Sequence, residues 1–261
     1  MLDGVLTKKI VRLYEDEEVT LDDEIVEEYP LTIFLNEQEL VTLLCTPNDL
    51  EELIYGFFYA EGLIKTRDDL LDLQIDKKKG VAYGVTKKQN TIGEKLYKKR
   101  IIPTGCGKNN LFLTSADMLR CHKLHSDLKI TREAIHALMR QTLKSSAIFK
   151  ATGAVHMVSV CTPDEIIIVK EDVARHNAVD RVIGHCLLNN IATEDKILMA
   201  TGRISSEMLL KAAKLQIAII VSKAAPTSLA VEFADQLNIT LIGFVRGAKM
   251  NIYTHKERVI K

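Results

Sequence analysis

The chain has no surplus of either charge. Its 261 residues carry 35 basic and 35 acidic side chains, a formal net charge of zero. Without a basic field to track a phosphate backbone, nucleic acid is not an expected partner. Long apolar runs are missing too. None approaches the ~18 residues of a membrane span, and the opening MLDGVLTKK, followed by acidic residues, has no signal-peptide pattern, so no membrane partner is expected. None of the five cysteines forms a CxxC pair. An odd set of thiols in a chain this long fits a reduced, cytoplasmic protein better than a disulfide scaffold. Neither GxGxxG nor GxxxxGKS/T occurs, which removes support for a Rossmann dinucleotide site or a P-loop. No internal repeat or low-complexity tract is visible. What remains is globular composition, 47% hydrophobic and 27% charged, enough for one large domain or two small ones.

Residues 1–20 mix single apolar residues with charge and read as an edge strand or arm. LTIFLN and LVTLLCT, separated by Glu37-Gln38-Glu39, read as a hairpin. Thr46-Pro47 then has the pattern of an N-cap and first helical residue. Leu50, Leu53, Ile54, Phe57 and Phe58 recur at helical spacing, and Gly62 stops the stripe. Residues 65–100 are lysine-rich, with glycines marking turns between short strands. Beyond a boundary near Thr104, Thr131 caps a helix (TREAIHALMRQTL), and GAVHMVSVC with EIIIVKED makes a strand pair. The last hundred residues alternate between helices (HNAVDRVIGHCLLNNI, SSEMLLKAAKL, PTSLAVEFADQL) and strands (KILMAT, IAIIVS, ITLIGFV). That alternation predicts βαβ units and a largely parallel sheet. The expected organisation is a smaller α+β domain over residues 1–103 and an α/β domain over 104–261.

In such a sheet, ligands bind outside the carboxyl ends of the strands. Those ends carry Thr201-Gly202-Arg203-Ile204-Ser205-Ser206, then Ser222-Lys223 before Pro226-Thr227-Ser228, and finally Gly243 to Gly247 with Phe244, Val245 and Arg246. Small hydroxyl residues, glycine and a cation at helix starts suit a phosphate-bearing ligand, and equally suit ordinary capping. Cys106 has glycine on both sides and Lys108 and Arg100 near in sequence, which fits either a reactive thiolate or a turn residue. The other cysteines lie in apolar or helical contexts. Cys121-His122-x-x-His125 lacks a second ligand pair at finger spacing, so no metal site is expected and a surface helix end is favoured. His156 lies in a strand pattern as a core histidine. His176, at a helix start, is placed for proton transfer near neutral pH, with Asp180 one turn on to orient it.

Several blocks resemble the FdhD sulfur carrier proteins, accessory factors for formate dehydrogenase. They are Glu27-Glu28-Tyr29-Pro30-Leu31-Thr32, CTPNDLEELIYGFFYAEGLI, TGAVH, EDVARHNAVDRVIG, TGRISSEM, SKAAPTS and GFVRGAKMNIYTH, in family order from about residue 27 to 255. The resemblance implies a core like the cytidine-deaminase fold, an αβα sandwich. It implies a cytoplasmic protein that takes sulfur from a cysteine desulfurase and passes it to the molybdenum (or tungsten) cofactor, a bis-molybdopterin guanine dinucleotide, before the catalytic subunit of formate dehydrogenase receives that cofactor. It also implies a cofactor-binding segment at Phe244, Val245, Arg246, Gly247, Ala248 and Lys249. Together with Gly202, Arg203, Ser205, Ser206, Lys223, Thr227, Ser228 and His176 this makes the expected cofactor site, with Cys106 as the persulfide carrier. Where the family commonly has CGxCG, this chain has Thr104-Gly105-Cys106-Gly107. A chaperone that delivers the cofactor without sulfur chemistry keeps every other motif. A deaminase-like hydrolase needs H-x-E and P-C-x-x-C, and the chain has neither. The apolar N-terminal hairpin and helix suit a homodimer or an interdomain contact.

Overall fold

A computed structural model describes residues 2–87 and 121–261; the expected domain boundary at 103/104 and Cys106 lie outside the described residues. Strands β1 (Val5–Leu13) and β2 (Glu18–Val26) form a two-stranded antiparallel ribbon. A four-stranded sheet follows, in the order β4-β3-β6-β5, from β3 (Tyr29–Leu35), β4 (Gln38–Cys45), β5 (Leu70–Asp76) and β6 (Val81–Thr86). The β3–β4 hairpin turns at Asn36-Glu37, both at positive φ, one residue earlier than the polar run suggested.

Helix α1 (Leu50–Ala60) buries the stripe read from the sequence, Leu50, Leu53, Ile54, Phe57 and Phe58, against Leu31, Ile33 and Ala82 of that sheet. Gly62, at φ +73, lets the Leu63 N–H donate back to the Phe58 carbonyl and ends the helix. Thr46 does not cap it. The helix starts three residues later, after Asp49, and Thr46 is fully buried, giving its backbone N–H and its hydroxyl to Asp172.

The larger sheet has the order β13-β12-β11-β10-β8-β9, from β8 (His156–Cys161), β9 (Ile166–Asp172), β10 (Ile197–Ala200), β11 (Ile219–Ser222), β12 (Thr240–Arg246) and β13 (Lys249–Ile252). Within it β10–β11 and β11–β12 pair parallel, while β8 pairs antiparallel with both β10 and β9, and β12 with β13. The expectation of a largely parallel sheet is corrected at its flanks. There β8–β9 and β12–β13 are joined by loops too short for a crossover, so their strands run antiparallel. Helices α4 (Arg175–Leu188), α5 (Ser206–Lys214) and α6 (Ser228–Gln236) cover one face, meeting Leu198, Ala200, Ile220 and Leu241. Helix α2 (Arg132–Ser145), capped by Thr131 as expected, covers the other through Ile135, Leu138 and Met139, against Ile197, Met199, Ile219 and Val221. The short α3 (Ala147–Thr152) follows it, and the chain ends with β14 (Val259–Ile260) parallel to β7 (Ile130–Thr131). Residues 121–129 are irregular, so the surface helix end expected around Cys121–His125 is not formed there.

The two sheets are joined through α1 and α4, whose backbones touch. A Cβ on Gly56 would stand 1.7 Å from the Asp180 carbonyl oxygen, and one on Gly184 1.8 Å from that of Glu52. Helix α1 therefore has a sheet on one side and α4 on the other, so its apolar stripe serves the contact between the two sheets. Gly184→Ala is expected to lose about 3 kcal/mol or more of stability, because backbone rather than a flexible side chain must move. Chemical denaturation checks this, and an unchanged midpoint contradicts the close crossing.

Candidate functional site

The HNAVDR segment reads as a proton-transfer element, but most of its polar side chains hold the structure together. Asp172 and Arg181 are fully buried. Arg181 donates Nε and Nη2 to Asp172 Oδ2 at 2.9 and 2.6 Å, Nη2 to the Thr46 carbonyl at 2.7 Å, and Nη1 to the Asn48 carbonyl. Asp172 Oδ1 accepts from the Ala174 N–H and from Asn177, whose Nδ2 also reaches the Leu44 carbonyl at 2.8 Å. Asp180 does not orient His176. It takes Lys211 Nζ on both oxygens at 2.6 Å, and burial pushes its carboxyl up while Lys211 pulls it back. His176 Nε2 lies 3.3 Å from Glu207 Oε2 instead.

Because β10, β11 and β12 are parallel neighbours, the three junctions picked from the sequence share one sheet edge. They also bind one another. The Ile204 N–H donates to the Ala225 carbonyl, the Thr227 N–H to Ile204, and the Phe244 N–H to Ala224. Ser222 Oγ donates to the Gly202 carbonyl at 2.7 Å. Capping accounts for two of the hydroxyls, with Ser205 accepting from the Met208 N–H and Thr227 from the Ala230 N–H. Ser206 is buried and Ser228 exposed, while Ala248 and Lys249 are exposed on the β12–β13 hairpin. Phe244 sits at φ +53, an unusual conformation for a bulky residue, where the β12–β13 register shifts. That bend places the Arg246 guanidinium 5.6 Å from the Phe244 ring centroid, with Nε donating to the Lys223 carbonyl at 3.0 Å.

The site residues divide between the two faces of this edge. On the α2 face, Lys223, Val245, Arg246 and Gly247 line a cavity of about 210 Å³ together with His136, Met139, Arg140 and Leu143. Three permanent cations and an imidazole line it, and no carboxylate does. Ligand pockets commonly begin near ~300 Å³, so it has room for one end of a nucleotide rather than a whole cofactor. His136, Met139, Arg140 and Leu143 were missed as site residues. Their i, i+3, i+4, i+7 spacing puts them on one helix face, and two polar residues on a stripe that should be apolar were the available signal. On the α4 face, Gly202 packs between His156 and Arg175, so that a Cβ there would be 3.1 Å from His156 Nδ1 and 3.3 Å from Arg175 Cβ. Burial, then the nearby Arg175, His176 and Arg203, push the His156 imidazole down from its ordinary value, with Asp172 opposing them. His176, Gly202 and Arg203 thus belong to this second group rather than to the cavity.

Among the described residues no three His, Cys, Asp or Glu side chains form a metal-ligand set, and no helix is long and apolar enough to cross a membrane. Cys45, Cys161 and Cys186 are buried and Cys121 half-buried. Burial, aided at Cys45 by the Asp172 carboxylate, pushes the Cys45 thiol up to about 12, and burial pushes Cys161 and Cys186 each up to about 11. At pH 8 about a thousandth or less of each is thiolate. Iodoacetamide on the native protein is therefore expected to leave these three unlabelled in peptide mass spectra, and rapid labelling of any of them contradicts the placement.

Comparison with known proteins places these features in context. Residues 26–260 match the FdhD/NarQ family. The chain is 42% identical over 260 residues to the sulfur carrier protein FdhD of Bacillus subtilis, covering 99% of both chains. It is 40% identical over 260 residues to the Listeria innocua protein of the same name, covering 99% of this chain and all of the relative. Its fold is similar to the crystal structure of a formate dehydrogenase accessory protein from Desulfotalea psychrophila, with a TM-score of 0.79, 27% identity, and 98% and 99% of the two chains covered.

Proposed function

Because the chain belongs to the FdhD/NarQ family, we propose that it is a cytoplasmic sulfur carrier that takes sulfur from a cysteine desulfurase on Cys106. It passes that sulfur to the bis-molybdopterin guanine dinucleotide cofactor before a formate dehydrogenase receives it. The observation that carries this reading is the cation-lined cavity at the parallel strand ends, where Arg140, Lys223 and Arg246 converge without a carboxylate. Such a set favours the phosphates of a guanine dinucleotide, and arginine can meet them with paired N–H groups. The arrangement of α2, the larger sheet and α4–α6 is compatible with the cytidine-deaminase-like sandwich that the family resemblance implies.

The carrier assignment rests on elimination and on the sequence around Cys106. Three of the five thiols are buried and held protonated, which leaves Cys121 and Cys106. Of these, Cys106 has the glycine neighbours and the adjacent Lys108 that favour a thiolate. In the loading step the Cys106 thiolate attacks the terminal sulfur of the desulfurase persulfide. The sulfane S–S bond breaks, a new S–S bond forms on Cys106, and the desulfurase cysteine leaves as its thiolate. A single cysteine suffices, because no second thiol is needed to receive the sulfur.

The cofactor side is tested by titration with GDP as probe. Arg246→Ala and Arg140→Ala are each expected to weaken binding by about 1–3 kcal/mol, the range for losing a charged hydrogen bond. Unchanged affinity in both variants contradicts the cavity as the nucleotide site. The sulfur side is tested by incubating the protein with a desulfurase and cysteine and weighing the Cys106 peptide. A mass gain of one sulfur atom is expected on Cys106, with the Cys121→Ala variant still loading. If Cys106→Ala still activates formate dehydrogenase while Arg246→Ala does not, the protein is a cofactor chaperone without sulfur chemistry.

A further inference from the structure

The cavity beside α2 is too small to hold a nucleotide's base and its phosphates together. Among the described residues its polar lining is His136, Arg140, Lys223 and Arg246, over an apolar floor of the buried Met139 and Val245. Its volume is about 210 Å³, below the ~300 Å³ at which pockets for whole small molecules commonly begin. One end of a nucleoside diphosphate enters and the other stays outside. Charge decides which end. A diphosphate carries several negative charges near neutral pH, and a purine or pyrimidine carries none. Attraction between unit charges at contact distance outweighs a neutral hydrogen bond, and Arg140, Lys223 and Arg246 are permanent cations.

Donor and acceptor character points the same way. Guanine differs from adenine on its pairing edge by two neighbouring donors, N1–H and N2–H, which need acceptors. Lysine and arginine side chains only donate. Among the described residues no carboxylate or amide side chain lines the cavity, and His136 can accept on a single ring nitrogen. Arg246 is tied at Nε to the Lys223 carbonyl at 3.0 Å, with its guanidinium over the Phe244 ring. Its Nη groups therefore meet the ligand, as a fork that fits two oxygens of one phosphate. The same fork can meet O6 and N7 of guanine, but with room for one end it goes to the end that carries charge. Resting on the nucleotide reading above, we infer that this cavity is a diphosphate site blind to the base. It takes nucleoside diphosphates of any base, and inorganic pyrophosphate by itself. Such a site selects a dinucleotide cofactor by its phosphates and leaves the choice of base to other contacts.

Calorimetric titration of the full chain with GDP, ADP, CDP, inorganic pyrophosphate and guanosine, in EDTA at one fixed ionic strength, reads this. GDP, ADP and CDP are expected to agree within about threefold and pyrophosphate to follow within about tenfold, with guanosine weaker than GDP by about a hundredfold or more. Arg140→Ala and Arg246→Ala are each expected to weaken GDP, ADP, CDP and pyrophosphate alike, by about tenfold. A site that reads the base through one paired contact separates GDP from ADP by about tenfold or more. A GDP preference of that size, guanosine bound as well as GDP, or pyrophosphate that does not bind overturns the inference. If a GDP preference is present and disappears in Arg246→Ala, the nucleotide placement stands and only the blindness to the base fails. Diphosphate binding that neither variant weakens overturns the placement and the inference together.

Discussion

The buried pair of Arg181 and Asp172 holds the fold at the point where its two sheets join. Taking both charges out of water is costly, and the cost is offset because the partners are fixed: the Thr46 and Asn48 carbonyls for Arg181, and the donors of Thr46, Ala174 and Asn177 for Asp172. The carbonyls that Arg181 and Asn177 bind belong to Leu44, Thr46 and Asn48, the link between β4 and α1. The pair thus sets where α1 begins and brings Gly56 against α4. Asp172 ends β9 three residues before α4 starts, so the same contact also fixes the first turn of α4. Arg175 in that turn is thereby brought to the end of β10 beside Gly202.

The edge of the larger sheet carries the binding surface proposed above. Its junctions are tied by backbone hydrogen bonds and by the Ser205 and Thr227 caps, which leaves the cationic side chains as the groups proposed to meet the ligand. Phe244, held at positive φ, stores strain where Arg246 must be aimed, and Lys223 accepts the Arg246 Nε on its carbonyl. The cations fall on two faces, Arg140, Lys223 and Arg246 beside α2 and Arg175 and Arg203 beside α4.

Much of this is legible in the sequence wherever one period dominates. The α1 stripe, the Thr131 cap and the alternation that puts three strand ends on one edge follow from spacing alone. The β8–β9 pair was legible as well, but the β12–β13 hairpin and the antiparallel run of β8 beside β10 were not, because strand direction depends on connections rather than composition. Arg181 was missed for a different reason. A lone arginine on a helix looks solvated, and its partners lie 9 residues away at Asp172 and more than 130 away at Thr46 and Asn48. The α2 wall of the cavity was hidden because His136 and Arg140 sit on a stripe read only for its apolar members, and nothing local says that α2 lies beside β12.

The proposed division between a clamp that builds the fold and a cationic cavity that binds nucleotide is tested most directly by a crystal structure of the protein soaked with GDP. The diphosphate is expected between α2 and the end of β12, within hydrogen-bonding reach of Arg140, Lys223 and Arg246, with the Arg181–Asp172 pair unchanged. A nucleotide bound at another edge of the molecule, with those three side chains empty of ligand, contradicts it.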